Sequence, residues 1–317
     1  MTLRNALVGT LAVVSLAACG TSTPSSDSGK IQVVASTNVW GSVVKAVGGD
    51  DVEVKSLLDD PSADPHSYES KPADAALVKD AKLVVFNGGG YDDFFAKLIT
   101  SDATKKVEAF PLRDHGHAEP SSSAAPASQA PTSEAPAGDG HDHEHGENEH
   151  VWYDLHTVGA VAEAAATELA AIAPDKKAAF EKNAADFAAK LEELEKKVEG
   201  VGAGKKIAAT EPIAHYLVDA SGAQDVTPEA FSKAIEEESD VPAAALAEMN
   251  QLVDGKQVNV LLENTQTENQ VTKQVVEKAK AAGIPVVVVT ETLPEGVTGY
   301  LDWMSKQVDA LSQALKA

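Results

Sequence analysis

Four side chains of this sequence combine the chemistry of metal ligands with a favourable position in the chain. His66 and His150 offer imidazole nitrogens, and Glu211 and Glu291 offer carboxylate oxygens. Zn²⁺ and Mn²⁺ accept such a mixture of nitrogen and oxygen ligands, whereas Ca²⁺ and Mg²⁺ prefer oxygen alone. Because two of the four come from each half of the chain, they predict one divalent cation bound between the two halves.

Each of these residues also has a simpler structural interpretation. His66 can stiffen a turn, and His150 can be one more member of a His-rich tract. Glu211 can be a carboxylate favoured by the dipole of the helix that it precedes, and Glu291 can be a solvated turn residue. His215, one helical turn after Glu211, is an alternative donor at that position.

A second group of imidazoles lies in residues 114–150, a segment without Val, Ile, Leu, Met, Phe, Trp or Tyr. The histidines of this tract before His150 are His115, His117, His141, His143 and His145. Such a segment cannot bury a core, so we expect a mobile loop. Neutral imidazoles in an acidic loop offer weak Zn²⁺ sites, which predicts capture of zinc for the buried site. The alternative is a disordered tract whose histidines have no function.

Strand-like and helix-like segments alternate on both sides of this loop. The predicted strands are residues 31–36, 52–58, 82–87, 205–210, 258–262 and 285–290. The predicted helices are residues 39–47, 72–80, 157–173, 175–199, 212–220, 272–282 and 299 onward. This order predicts the α/β class, with two Rossmann-like lobes of parallel strands. Ligands of parallel sheets bind beyond the carboxyl ends of strands, where His66, Glu211 and Glu291 are expected.

The predicted domain organisation follows from these elements. A signal peptide (1–18) and a flexible tether (19–30) precede an N-terminal lobe (31–173) that contains the His-rich loop (114–149). A connecting helix (174–200) leads to a C-terminal lobe (201–317). Residues 175–199 contain no Gly or Pro, so a helix of about 35–40 Å can brace both lobes rigidly.

The single cysteine indicates where the protein resides. Residues 6–18 form an apolar run that suits a signal peptide and is too short to span a bilayer as a mature helix. The run ends in Leu-Ala-Ala-Cys at 16–19, which resembles the bacterial lipobox, so we expect cleavage before Cys19 and its lipidation. The alternative is an ordinary signal peptide. Either way the protein is predicted to be extracytoplasmic, and lipidation would anchor it to the cell membrane.

Composition excludes several classes of function. The formal net charge of −23 argues against binding of nucleic acid and favours cations as partners, although acidity also serves solubility alone. One cysteine rules out an intrachain disulfide and a Cys-rich zinc finger. The His-Glu-x-x-His and Gly-x-Ser-x-Gly motifs are absent, so we expect a binding protein rather than an enzyme.

Five short motifs in a fixed order carry a family resemblance that spans residues 31–315 apart from the loop. They are DPHSYE at 64–69, AKLVVFNGGG at 81–90, EHVWYD at 149–154, TEP at 210–212 and TETL at 290–293. With them the chain resembles the zinc and manganese solute-binding lipoproteins of bacterial metal ABC transporters. Zinc-selective members usually carry His where this chain has Glu211, and the family usually has Asp at the position of Glu291.

The resemblance implies a function and a set of partners. It implies a metal ion held in the cleft between the lobes by His66, His150, Glu211 and Glu291. The protein is then expected to be a monomer that delivers Zn²⁺ to an ABC permease with a cytoplasmic ATPase. Two alternatives stay open, namely a manganese-specific protein of the same type and a surface adhesin that shares the fold.

Overall fold

The computed structural model describes residues 29–61, 65, 67–101, 103–115 and 148–317. Several residues to which the sequence assigns a function therefore lie outside the described residues, namely Cys19, His66, His117, His141, His143 and His145. His115 ends a short 3-10 helix, Phe110–His115, and its side chain is not described. Within the described residues, none of the helices combines the length and apolar composition that crossing a membrane requires.

The first lobe contains a four-stranded parallel sheet in the order β2-β1-β3-β4. Its strands are β1 (Ile31–Thr37), β2 (Val52–Leu58), β3 (Leu83–Phe86) and β4 (Lys105–Glu108). Its helices are α1 (Asn38–Gly48), α2 (Pro72–Asp80) and α3 (Asp93–Ala96). Strand β3 is buried over its whole length, as expected for a strand covered on both faces.

The second lobe repeats this topology, because its sheet has the order β6-β5-β7-β8. The strands are β5 (Lys206–Ala209), β6 (Gln224–Asp225), β7 (Val260–Asn264) and β8 (Val286–Val289). The helices are α6 (His215–Ser221), α7 (Glu229–Glu236), α8 (Ala243–Asp254), α9 (Gln270–Ala282) and α10 (Tyr300–Lys316). In both sheets the second strand lies outside the first, and the third strand lies on the first strand's other side. The predicted class of two parallel-sheet α/β lobes is confirmed.

Two helices, α4 (Leu155–Ile172) and α5 (Lys177–Val198), connect the sheets. The 22 residues of α5 span about 33 Å, and 3-10 turn Pro174–Lys176 precedes it. Buried side chains of both sheets join those of α1, α4, α5 and α10 in one hydrophobic cluster. The helical connection is thus part of a core common to both lobes, which opposes their separation.

The structure also contains elements that the sequence analysis did not assign. They are α3, β4, β6, α7 and α8. The predicted helix 212–220 is a 3-10 turn, Pro212–Ala214, followed by α6. Helix α7 ends at Glu236, whose Oε1 lies 3.9 Å from His150 Nε2.

Candidate metal centre

Two carboxylates meet at the carboxyl end of the second sheet. Glu211 follows β5 across Thr210, and Glu291 follows β8 across Thr290. Asn264, the last residue of β7, lies between them, and its Nδ2 donates to Glu211 Oε2 at 2.5 Å and to Glu291 Oε1 at 2.9 Å. Because neighbouring parallel strands end at the same edge, three residues distant in the chain converge there.

Further donors hold each carboxylate in place. Thr267 Oγ1 donates to Glu211 Oε2 at 2.5 Å, and the Tyr91 hydroxyl from the first lobe donates to Glu291 Oε2 at 3.0 Å. Glu211 is only 3% exposed and Glu291 only 1%. These hydrogen bonds offset part of the desolvation of two buried negative charges, and they orient the carboxylates.

His150 is completely buried, and its ring orientation is fixed by Asn148. The Asn148 amide nitrogen donates to the Pro212 carbonyl oxygen at 2.9 Å, so its Oδ1 faces His150, 3.0 Å from Nδ1. An amide oxygen only accepts hydrogen bonds, so Nδ1 carries the proton and Nε2 carries the lone pair of the ring. Since Pro212 follows Glu211, the same contact ties the imidazole to the second lobe.

The turn after β3 supports the segment that carries His150. The buried Asp92 carboxylate accepts from the backbone nitrogens of Asn87 at 2.6 Å and Gly88 at 2.8 Å. Asn87 Nδ2 in turn donates to the Glu149 carbonyl oxygen at 2.8 Å. Burial raises the pKa of Asp92 to about 6, although these hydrogen bonds oppose the shift. Gly88 adopts φ 76°, a left-handed conformation that favours glycine in this turn.

Glu236 is a further acidic residue of the centre, which the sequence analysis did not single out. Its Oε1 lies 3.9 Å from His150 Nε2, and its side chain is 22% exposed. Burial, together with the negative charges of Glu149, Glu211 and Glu291, raises its pKa to about 8. Sequence alone offered one signal, the amphipathic spacing of Phe231, Ala234 and Ile235 that marks α7 as a helix.

Three of the predicted ligands, His150, Glu211 and Glu291, belong to the described residues. Glu211 and Glu291 are linked through Asn264, and Tyr91 connects Glu291 to His150, because its ring centroid is 5.9 Å from that of the imidazole. Among the described residues, however, the ligand atoms grouped with His150 are those of Glu149 and Glu236, and the three all lie within 4.8 Å of one another.

The alternative donor His215 points elsewhere. Its Nε2 lies 3.3 Å from Asp219 Oδ2, one turn along α6, and its side chain is 40% exposed. Glu211, and not His215, contacts Asn264.

A cleft of about 300 Å³ adjoins the centre, and its walls include Ile235, Gln266 and Thr267. Thr267 donates to Glu211, and Gln266 Oε1 accepts from the Glu291 backbone nitrogen. The cleft thus reaches the residues that hold both carboxylates.

Two α/β lobes with one common core, and with polar ligand groups converging between them, define a solute-binding protein. A family model described as zinc-uptake complex component A, periplasmic (ZnuA), matches residues 33–314. The chain belongs to this family and is thus a metal-binding component of an ABC transporter.

Three known proteins illustrate the similarity. The iron ABC transporter substrate-binding lipoprotein MtsA of Streptococcus pyogenes serotype M1 is 26% identical over an alignment that covers 96% of each chain. The manganese ABC transporter substrate-binding lipoprotein scaA of Streptococcus gordonii is 26% identical over 90% of this chain and 80% of its own. The periplasmic zinc-binding protein TroA of Treponema pallidum has the same fold, with a TM-score of 0.69 and 18% identity over 91% of this chain and all of its own.

Proposed function

We propose that this protein captures Zn²⁺ outside the cytoplasm and delivers it to an ABC permease driven by a cytoplasmic ATPase. The observation that carries the proposal is a buried imidazole with its lone pair on Nε2, which the ring of Tyr91 links to two carboxylates that share the Asn264 donor. His66, His150, Glu211 and Glu291 are the proposed ligands, and His66 lies outside the described residues. Imidazole nitrogen and carboxylate oxygen are both ligands of zinc.

Mn²⁺ is the second candidate, and one observation favours it. The described candidate ligands comprise one imidazole and four carboxylates, because Glu149 and Glu236 beside His150 add to the Asn264-linked Glu211 and Glu291. Oxygen-rich sites suit Mn²⁺ better than Zn²⁺.

A competition experiment decides between the ions. The purified metal-free chain is exposed to equimolar Zn²⁺, Mn²⁺ and Fe²⁺, freed of loose ions and analysed for its metal content. We expect one tightly held zinc per chain. A chain that retains only manganese would overturn the zinc assignment, and one that retains no metal would contradict the proposed function.

The His-rich tract is proposed to collect zinc for the centre. A deletion of the tract must leave Asn148 in place, because Asn148 orients the His150 ring. Deletion of residues 116–147 should leave one tight ion per chain and lower the amount of weakly bound zinc. Loss of the tight ion in this variant would instead make the tract the principal site.

The membrane anchor and the adhesin alternative are tested in cells. Cys19 is proposed to be lipidated, so Cys19→Ser should abolish incorporation of labelled palmitate and release the protein from the membrane. Deletion of the gene should impair growth in metal-depleted medium. Loss of surface attachment without a metal-dependent growth defect would favour the adhesin instead.

A further inference from the structure

Glu149, His150 and Glu236 form a second set of metal-ligating atoms beside the Asn264-linked carboxylates. Their ligand atoms all lie within 4.8 Å of one another, and His150 Nε2 is 3.9 Å from Glu236 Oε1. An ion bound at about 2.1 Å to each of two atoms can bridge a separation of up to about 4.2 Å. The imidazole and the Glu236 carboxylate thus stand at a distance that one divalent cation can span.

The imidazole makes this set more than a group of acidic side chains. The ring of His150 is fully buried, and the Asn148 oxygen holds its Nδ1 as a donor. This hydrogen bond selects the tautomer in which Nε2, the nitrogen nearer Glu236, binds metal.

Glu236 occupies a position that is electrostatically unfavourable without a cation. It is the last residue of α7, where the negative end of the helix dipole disfavours a carboxylate. Phe231 and Ile235 are buried and fix the helix against the second lobe. Among the residues that the structure describes, no hydrogen-bond donor contacts the Glu236 side chain. A cation would supply the missing stabilisation.

The second set and the Asn264-linked carboxylates share the region around His150. The cleft at the end of α7 includes Ile235, the neighbour of Glu236, and Thr267, which binds Glu211. The geometry points to an outer divalent-cation position formed by Glu149, His150 and Glu236, through which the ion passes to Glu211 and Glu291. This inference rests on the proposed function, and it assigns Glu236 as a metal ligand.

The test removes the inner carboxylates and asks whether Glu236 still binds. All variants carry Asn at the five tract histidines 115, 117, 141, 143 and 145, so that these contribute no imidazole. Zn²⁺ alone is titrated by calorimetry into the full chain with Glu211→Gln and Glu291→Gln. We expect one ion with weakened affinity, and a further loss of at least about tenfold when Glu236→Gln is added.

Glu237→Gln is the matched control, because it removes the same charge one residue further on. The Glu237 side chain is 55% exposed and pairs with Lys233. It should leave the residual affinity within about twofold, and thermal melts establish that each variant is folded. Equal affinities of the Glu236→Gln and Glu237→Gln variants, or no residual binding in the doubly substituted chain, would overturn the outer position.

The chain with intact inner carboxylates separates this inference from the proposed function. Glu236→Gln alone should slow zinc association several-fold, whereas Glu237→Gln should not. Absence of zinc binding by the unsubstituted centre would contradict the proposed function itself. Tight zinc binding with equal association rates in both variants would contradict only the assignment of Glu236.

Discussion

The two sheets have the same strand order, and each places an asparagine at the end of its third strand. In the second sheet, Asn264 donates to the side chains of Glu211 and Glu291. In the first sheet, Asn87 follows β3 and donates to the backbone carbonyl oxygens of Glu149 and Gly88. One topological position thus serves two purposes. Asn264 holds candidate ligands directly, whereas Asn87 positions the chain that carries one.

The two lobes contribute different groups to the edge where the sheets end. In an open parallel sheet, the crevice between the first and third strands is the place where polar groups can gather. The second lobe brings two carboxylates to this edge. The first lobe contributes the Tyr91 hydroxyl and the residues that hold His150 in place. Direct and indirect positioning should differ in how strongly each substitution affects metal binding.

The largest effect is expected for Asn264→Ala. Without this donor the two buried carboxylates repel one another and lose their orientation, so zinc affinity should fall by about 10–100-fold. Calorimetric titration of the purified protein measures the loss. Asn250→Ala is the control, because Asn250 contacts Lys278 on the surface. Equal affinity of the two variants would show that Asn264 does not organise the centre.

A smaller effect on binding is expected for Asn87→Ala, which removes the support of the Glu149 carbonyl. Affinity should fall by about tenfold or less, and the free energy of unfolding should drop by about 1–2 kcal/mol. Asn183→Ala is matched to it, because Asn183 also donates to a backbone carbonyl, that of Val47, at 2.9 Å. If both variants lose stability alike and neither loses affinity, Asn87 serves the fold alone.

Tyr91→Phe should weaken binding no more than Asn87→Ala does. It removes one donor to Glu291 and leaves the Asn264 bond to the same carboxylate intact. We expect a loss of up to about tenfold in zinc affinity. Tyr300→Phe removes a hydroxyl that donates to the Trp152 carbonyl oxygen at 2.7 Å, and it should lower stability by about 1 kcal/mol without changing affinity. A loss of zinc affinity in Tyr300→Phe but not in Tyr91→Phe would contradict this role of Tyr91.

The predictable part of the fold follows from local patterns. The β-branched runs located most strands to within one or two residues, and the absence of Gly and Pro located α5. Short elements such as β6 have little pattern of their own, because packing against β5 forms them. The rule that polar residues gather beyond strand ends identified Glu211 and Glu291.

Other parts of the centre depend on contacts that sequence patterns do not contain. Asn264 lies two residues beyond the predicted end of its strand, so the predicted strand does not contain it. Glu236 belongs to a helix whose amphipathic spacing was readable, but only packing of α7 against the second lobe brings its end to His150. The asparagine that fixes the imidazole, Asn148, gains its role from Pro212, 64 residues away.

The smallest expected effect is on the stability of the metal-free chain. It distinguishes Glu236 from the carboxylates that Asn264 contacts. Below about pH 4.5 the Glu236 carboxyl is protonated in the folded and unfolded chain. Between that pH and its raised pKa of about 8, the unfolded chain has lost the proton and the folded chain retains it. The unfolded state then binds fewer protons, so the contribution of this group to stability falls as pH rises through this window.

Glu236→Gln removes the titrating group and should flatten this part of the pH dependence. The metal-free variant should melt at the same temperature as the unsubstituted chain near pH 4.5 and about 2–4 °C higher at pH 8. Calorimetric melts in chelator-treated buffer measure the difference, with the exposed Glu237→Gln as the reference. An equal difference at both pH values would mean that Glu236 is not held protonated, because a group that titrates normally contributes no slope in this window.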